Sequence, residues 1–102
     1  MTNLLQETER ALKNHNKTFD DIKWISVEGE LIPIDLFRIQ ADKSYDSGYG
    51  FAEVNESLLI VGDGWWLERR EYDGSEWWEF VTAPMKPNRP ERCDLNIFNE
   101  RY

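Results

Sequence analysis

The sequence predicts an α+β domain in which two helices pack on an antiparallel sheet, with a C-terminal three-stranded meander. Three observations carry this reading. Residues 58–82 (LLIVGDGWWLERREYDGSEWWEFVT) hold four of the five tryptophans as two Trp-Trp pairs, and eight charges, six of them acidic. That is too much apolar area for a loop and too much charge for a plain core sheet. An Asp73-Gly74 pair divides two alternating segments and favours a type I′ hairpin turn. Upstream, two stretches carry apolar residues at helical spacing.

Taken in order, Thr2 is placed to cap a helix running to about Lys13, with Leu4, Leu5, Ala11 and Leu12 as a thin apolar stripe. Asn14, His15 and Asn16 form a polar stop. Thr18-Phe19-Asp20-Asp21 has capping-box spacing, with Asp where Glu or Gln is usual, and predicts one short turn. Ile22 to Val27 alternates as a strand, with Ile22, Trp24 and Ser26 on one side. Glu28-Gly29-Glu30 reverses the chain. Leu31 to Ile34 returns as a short or edge strand, because Pro33 donates no hydrogen bond to a ladder. Asp35 then predicts the cap of a second helix, from about Leu36 to Tyr45. Gly48 and Gly50 end it, and Phe51 to Val54 leads back into the fold.

In the meander, Leu58 to Val61 reads as a strand buried on both faces, and Gly62-Asp63-Gly64 as a turn. A two-residue loop at Asp73-Gly74 sets Arg70 opposite Trp77, Glu68 opposite Glu79 and Trp66 opposite Val81. Pleating then assigns Trp65, Leu67, Trp78 and Phe80 to a core face, with Arg69, Glu71 and Glu76 towards an exposed tip. Trp66, Glu68, Arg70, Tyr72, Trp77, Glu79 and Val81 fall on the other face, and a one-residue bulge would scramble the assignment. Residues 1–82 read as one domain and residues 83–102 as a Pro-rich extended tail. Pro84, Pro87 and Pro90 disfavour regular structure there, although Leu95, Ile97 and Phe98 could add an edge strand.

The net charge of −8 is concentrated in the middle of the chain: residues 17–82 carry six basic and fifteen acidic groups, against four basic and three acidic in residues 83–102. Phosphate binding needs Lys and Arg to replace counterions, so direct nucleic-acid binding is excluded, as is attraction to anionic membranes. A fast encounter with a basic protein surface is favoured. No apolar run approaches the ~20 residues of a membrane span. The single Cys93 gives neither a disulfide framework nor a cysteine metal cluster and suits a reducing cytoplasm.

The chemistry-bearing residues do not assemble an enzyme. His15, the only histidine, lies at a helix end where a positive charge is mildly favoured. No spacing sets it beside Cys93 or a serine as a nucleophile–base pair. Glu68 and Glu79 could form a carboxylate pair of the glycoside-hydrolase kind, but the face reads as an ion-pair ladder with Arg70. The acidic segment from Asp42 to Glu53 lacks the alternate-position oxygen ligands of a calcium loop. No metal or cofactor is predicted.

Two segments, IPIDLFRIQADKSYDSGYG and WWLERREYDGSEWWEF, resemble small uncharacterised proteins of bacteriophages and Gram-positive prophages. The resemblance covers residues 18–82. It rests on Asp46-Ser47-Gly48-Tyr49-Gly50, on Trp65-Trp66-Leu67-Glu68-Arg69 and on the stretch from Tyr72 to Glu79. It implies a setting and no catalytic residue: small acidic phage proteins often bind and block host factors, including nucleic-acid-binding defence enzymes.

The expectation is therefore a non-enzymatic, cytoplasmic interaction protein that inhibits or sequesters a host protein with a basic surface, in the manner of an anti-CRISPR. Its partner surface would be Trp66, Glu68, Arg70, Glu71, Tyr72, Asp73, Glu76, Trp77 and Glu79. Trp66, Tyr72 and Trp77 would anchor and the carboxylates would steer. A homodimer is compatible with this. The alternatives are a nucleotide- or sugar-binding module, in which the Trp-rich face and the loop from Tyr45 to Phe51 close over a ligand, and a virion assembly protein.

Overall fold

In the computed structural model, residues 1–46 and 52–99 are described. Their elements run β1 (Thr2–Asn3), α1 (Leu4–Lys13), a 3₁₀ turn (Phe19–Asp21), β2 (Ile22–Val27), β3 (Glu30–Ile32), α2 (Ile34–Ala41), β4 (Ser44–Tyr45), β5 (Leu59–Gly62), β6 (Trp65–Tyr72) and β7 (Ser75–Thr82). The fold is α+β. An antiparallel five-stranded sheet has the order β3-β2-β5-β6-β7, and β1 and β4 form a separate two-stranded ribbon.

Both helices lie on one face of the sheet. Ile25, Ile60 and Leu67 form a fully buried cross-strand row, closed from the helix side by Leu12 of α1 and by Phe37 and Ala41 of α2. Each such side chain stabilises the fold by about 1.5–3 kcal/mol on leaving water. At one end of the row Gly62 is buried beneath Trp65, where a methyl group would meet the indole at 2.1 Å. Trp65 stacks on Phe80 at 5.5 Å, and Phe80 on His15 at 3.8 Å. The lone histidine thus packs as a flat ring beyond the end of α1.

Several local signals act as the sequence predicts. Thr18 accepts from the Asp20 amide while the Asp21 carboxylate accepts from the Thr18 amide. Asp73 and Gly74 have φ of 51° and 84°, the left-handed pair that a type I′ turn requires. The β6–β7 register is the predicted one, with Arg70 opposite Trp77, Glu68 opposite Glu79 and Trp66 opposite Val81.

Other expectations are corrected. The first helix is capped by Asn3, whose side chain accepts from the Gln6 amide, because Thr2 is held in the ribbon with Tyr45. The second helix starts at Ile34 behind Pro33, which lends its fixed φ of −61° to the N-cap, and Asp35 sits in the first turn. It ends at Ala41, short of Tyr45, because Ser44 and Tyr45 pair with β1 while the Asp42 carboxylate accepts from the Asn3 amide group. Gly48, Gly50 and Phe51 lie outside the described residues. In β5 only Ile60 and Gly62 are fully buried; Leu59 and Val61 are half-buried, so the strand has one sealed face. A bulge between Ile22 and Trp24 turns the latter away from the core side that Ile22 occupies. Residues 83–99 are exposed and without helix or strand, so Leu95, Ile97 and Phe98 add no edge strand.

Candidate functional site on the open face of the sheet

The sheet face away from the helices carries a cross-strand row of Trp24, Val61, Trp66 and Val81. Beside it run Ser26, Leu59, Glu68 and Glu79, and then Arg70 with Trp77. Among the described residues no helix lies across this face. Trp24 is 40 % exposed, Trp77 39 % and Tyr72 77 %. Trp66 is half-buried between its neighbours. Trp24 was missed in the sequence because its alternation with Ile22 hides the bulge that sends it outward.

The charges on this face are arranged rather than scattered. Arg70 donates to Glu68 at 2.8 Å. The Trp77 indole N–H donates to Glu79 at 3.2 Å, which fixes the ring edge and leaves the carboxylate without a cation among the described residues. Tyr72 and Asp73 stand exposed at the hairpin tip. Glu71 projects to the opposite side, where its carboxylate accepts from the Gly74 amide and closes the turn.

Glu76 is not at an exposed tip. It is 6 % exposed, on the helix side, in an ion network that sequence reasoning did not find. Arg69 donates to Glu76, to Glu7 and to the Tyr45 hydroxyl, each at 3.1 Å. Its guanidinium lies 4.8 Å over the Trp78 ring. Tyr45 in turn donates to Glu7 at 2.5 Å. Glu76 also accepts from the Glu53 and Val54 amides at 2.7 and 3.0 Å, which anchors the segment leading to β5. Thr8 completes the layer: its hydroxyl donates to the Leu4 carbonyl and accepts from the Trp78 indole. Burial, and then the hydrogen bond to Glu7, push the Tyr45 phenol up to about 12, with Arg69 pulling the other way. The only signals for this cluster were the pleat, which put Arg69 and Glu76 on one side, and helical spacing around Glu7 and Thr8.

A cleft of about 300 Å³ opens on the helix side, lined among others by Leu4, Phe37, Tyr45, Val54 and Leu58. It is separated from the tryptophan rows by the sheet. Of the loop from Tyr45 to Phe51 expected to close over a small ligand, residues 47–51 lie outside the described residues.

Searches of protein-family models, of curated proteins and of solved structures return no match. Among the described residues no helix is long and apolar enough to cross a membrane.

Proposed function

We propose that this chain is a non-enzymatic binding protein that engages a basic surface of another protein through the open sheet face. In the setting implied by its sequence resemblance, a phage or prophage product acting on a host nucleic-acid-binding protein, such binding would inhibit or sequester the target. The observation that carries the reading is the row Trp24–Val61–Trp66–Val81 with Trp77 beside it, uncovered among the described residues in a chain of net charge −8. Trp, Tyr and Arg dominate binding hot spots, and a contiguous apolar patch rimmed by charge marks an interaction surface. Trp24, Trp66 and Trp77 supply contact area, and Glu68, Glu79 and Asp73 supply the field that draws a cationic partner. Glu76 has no part in it, being held in the protein interior.

The test is photo-crosslinking from position 70, beside Trp77 on the open face, in bacterial lysate, followed by affinity measurement on the captured protein. The expected partner is basic and loses affinity with salt. Trp66→Ala and Trp77→Ala each weaken binding by about tenfold or more, while both variants stay folded. A partner that binds both variants as tightly as the parent chain, or whose affinity ignores salt, would reject the reading.

A further inference from the structure

The two edges of the sheet are protected differently. β3 is three residues long and is followed directly by Pro33. β7 is eight residues long, pairs with β6 in unbroken register and, among the described residues, has no strand on its other side. It contains no proline, lysine or bulge; of the devices that ordinarily blunt an edge it carries only charge, in the inward-held Glu76 and in Glu79 on the open face. In a two-residue hairpin the pair flanking the turn exchanges hydrogen bonds and the pattern then alternates. Ser75, Trp77, Glu79 and Val81 therefore bond to β6, and Trp78 and Phe80 turn their main-chain N–H and C=O outward.

We propose that β7 accepts an extended cationic segment of the partner as a sixth strand, so that main-chain pairing at Trp78 and Phe80 joins the aromatic face in recognition. This rests on the function proposed above and names its mode. The chemistry of the occupant follows from where the cross-strand rows end. The row Ser26–Leu59–Glu68–Glu79 ends at β7 on a carboxylate with no cation of its own among the described residues, Glu68 being already paired with Arg70. The row Trp24–Val61–Trp66–Val81 ends on an aliphatic side chain. An added strand that continues both places Lys or Arg beside Glu79 and an apolar residue beside Val81. A second copy of this chain fits less well. It brings another −8, and the symmetric pairing centred on Glu79 sets two carboxylates face to face. The chain's own tail fits less well too: residues 94–98 offer no cation, and the basic stretch before them contains Pro87 and Pro90, which lack the N–H a strand must donate.

The experiment uses the full chain, ¹⁵N-labelled, with three short synthetic peptides: a Lys-Thr-Val-Thr repeat (the Lys–Val peptide), which sets Lys and Val two residues apart on one face, a Glu-Thr-Val-Thr repeat (the Glu–Val peptide), and the Lys–Val peptide N-methylated at alternate residues. Saturating Lys–Val peptide is expected to slow amide exchange at Trp78 and Phe80 by about tenfold or more while shifting the Trp77 indole signal. The Glu–Val and N-methylated peptides should not. Glu79→Lys should exchange the preference for the Lys peptide for one for the Glu peptide. The inference is overturned if the Lys–Val peptide does not bind, if it binds with unchanged exchange at Trp78 and Phe80, or if the N-methylated peptide binds equally well. Concentration-dependent protection of those two amides without peptide would make the occupant a second copy and also overturn it. A captured partner that requires Trp66 and Trp77 yet leaves the two edge amides exchanging freely would sink the strand addition alone and leave the proposed function standing.

Discussion

On the helix side of the β6–β7 hairpin, Arg69 and Glu76 meet at 3.1 Å with side chains 2 % and 1 % exposed. On the open side, Arg70 and Glu68 meet at 2.8 Å with side chains 56 % and 32 % exposed. Both are Arg–Glu contacts of nearly equal length, the inner one across β6 and β7 and the outer one along β6, so Coulomb attraction at contact does not distinguish them. Desolvation does. The inner pair has given up water and must find protein partners, which it does through Glu7, Tyr45 and the Glu53 and Val54 amides; among the described residues the Arg69 Nε is still left without one. The outer pair keeps its water and gains little from meeting. One hairpin thus uses the same chemistry to fix its architecture on one face and to present charge on the other.

The largest effect that would break this contrast is at Glu76. Glu76→Ala leaves a buried guanidinium with one carboxylate and strands two backbone donors, so urea denaturation should show a loss of about 3–5 kcal/mol. Replacing both partners, as Arg69→Met with Glu76→Leu, should recover much of that loss, because the desolvated charges go together. A single variant within 1 kcal/mol of the parent would mean that the inner pair is solvated after all. Somewhat smaller is the effect of Gly62→Ala. A Cβ 2.1 Å from the Trp65 ring forces the indole out of its stack with Phe80. The cost should approach about 3 kcal/mol, the upper end for overpacking, and Trp65 fluorescence should shift red.

Tyr45 gives the inner face a pH signature. Its phenol is raised from 10.0 to about 12 on folding. Above the unfolded value the unfolded chain releases a proton that the folded chain retains, so the contribution is complete below pH 10 and fades as pH rises towards 12. The loss is on the order of 2 kcal/mol. Tyr45→Phe should flatten the decline between pH 10 and 12. An unchanged slope in that variant would assign the decline to other groups.

How much of this could be read in the chain follows from which interactions are local. The Asp73-Gly74 turn fixes register by itself, and register fixes faces, so the sequence alone assigns Trp65, Leu67 and Trp78 to the core and Trp66 and Trp77 to the other side. The same pleat put Arg69 and Glu76 on the inner face. What it could not carry was that Glu7 from the first helix, Tyr45 from the ribbon and the Glu53–Val54 backbone converge over them, since those partners are separated from Arg69 and Glu76 by 62, 24 and about 22 positions. Trp24 was hidden for the opposite reason. Its displacement is local, but a bulge leaves no pattern in an alternating run. The end of α2 was set by the β1–β4 ribbon, a long-range pairing that overrides helical spacing.

The smallest expected effects on stability sharpen the comparison most, because they fall on the face where the largest effects on binding are proposed. Arg70→Ala removes an exposed pair and should change stability by no more than about 0.5 kcal/mol, against several for its inner counterpart. Trp77→Ala removes a ring only partly withdrawn from water, together with the 3.2 Å hydrogen bond to Glu79. It should cost about 1 kcal/mol, well below the about 3–5 kcal/mol for truncating a buried Trp such as Trp78. Measured side by side, Trp77→Ala and Trp78→Ala separate the roles of neighbouring residues on one strand: the second should melt the domain, and the first should leave it folded and weaken partner binding. Equal destabilisation by the two would mean that the outer ring is structural, and that the open face is a second core layer rather than a surface for another molecule.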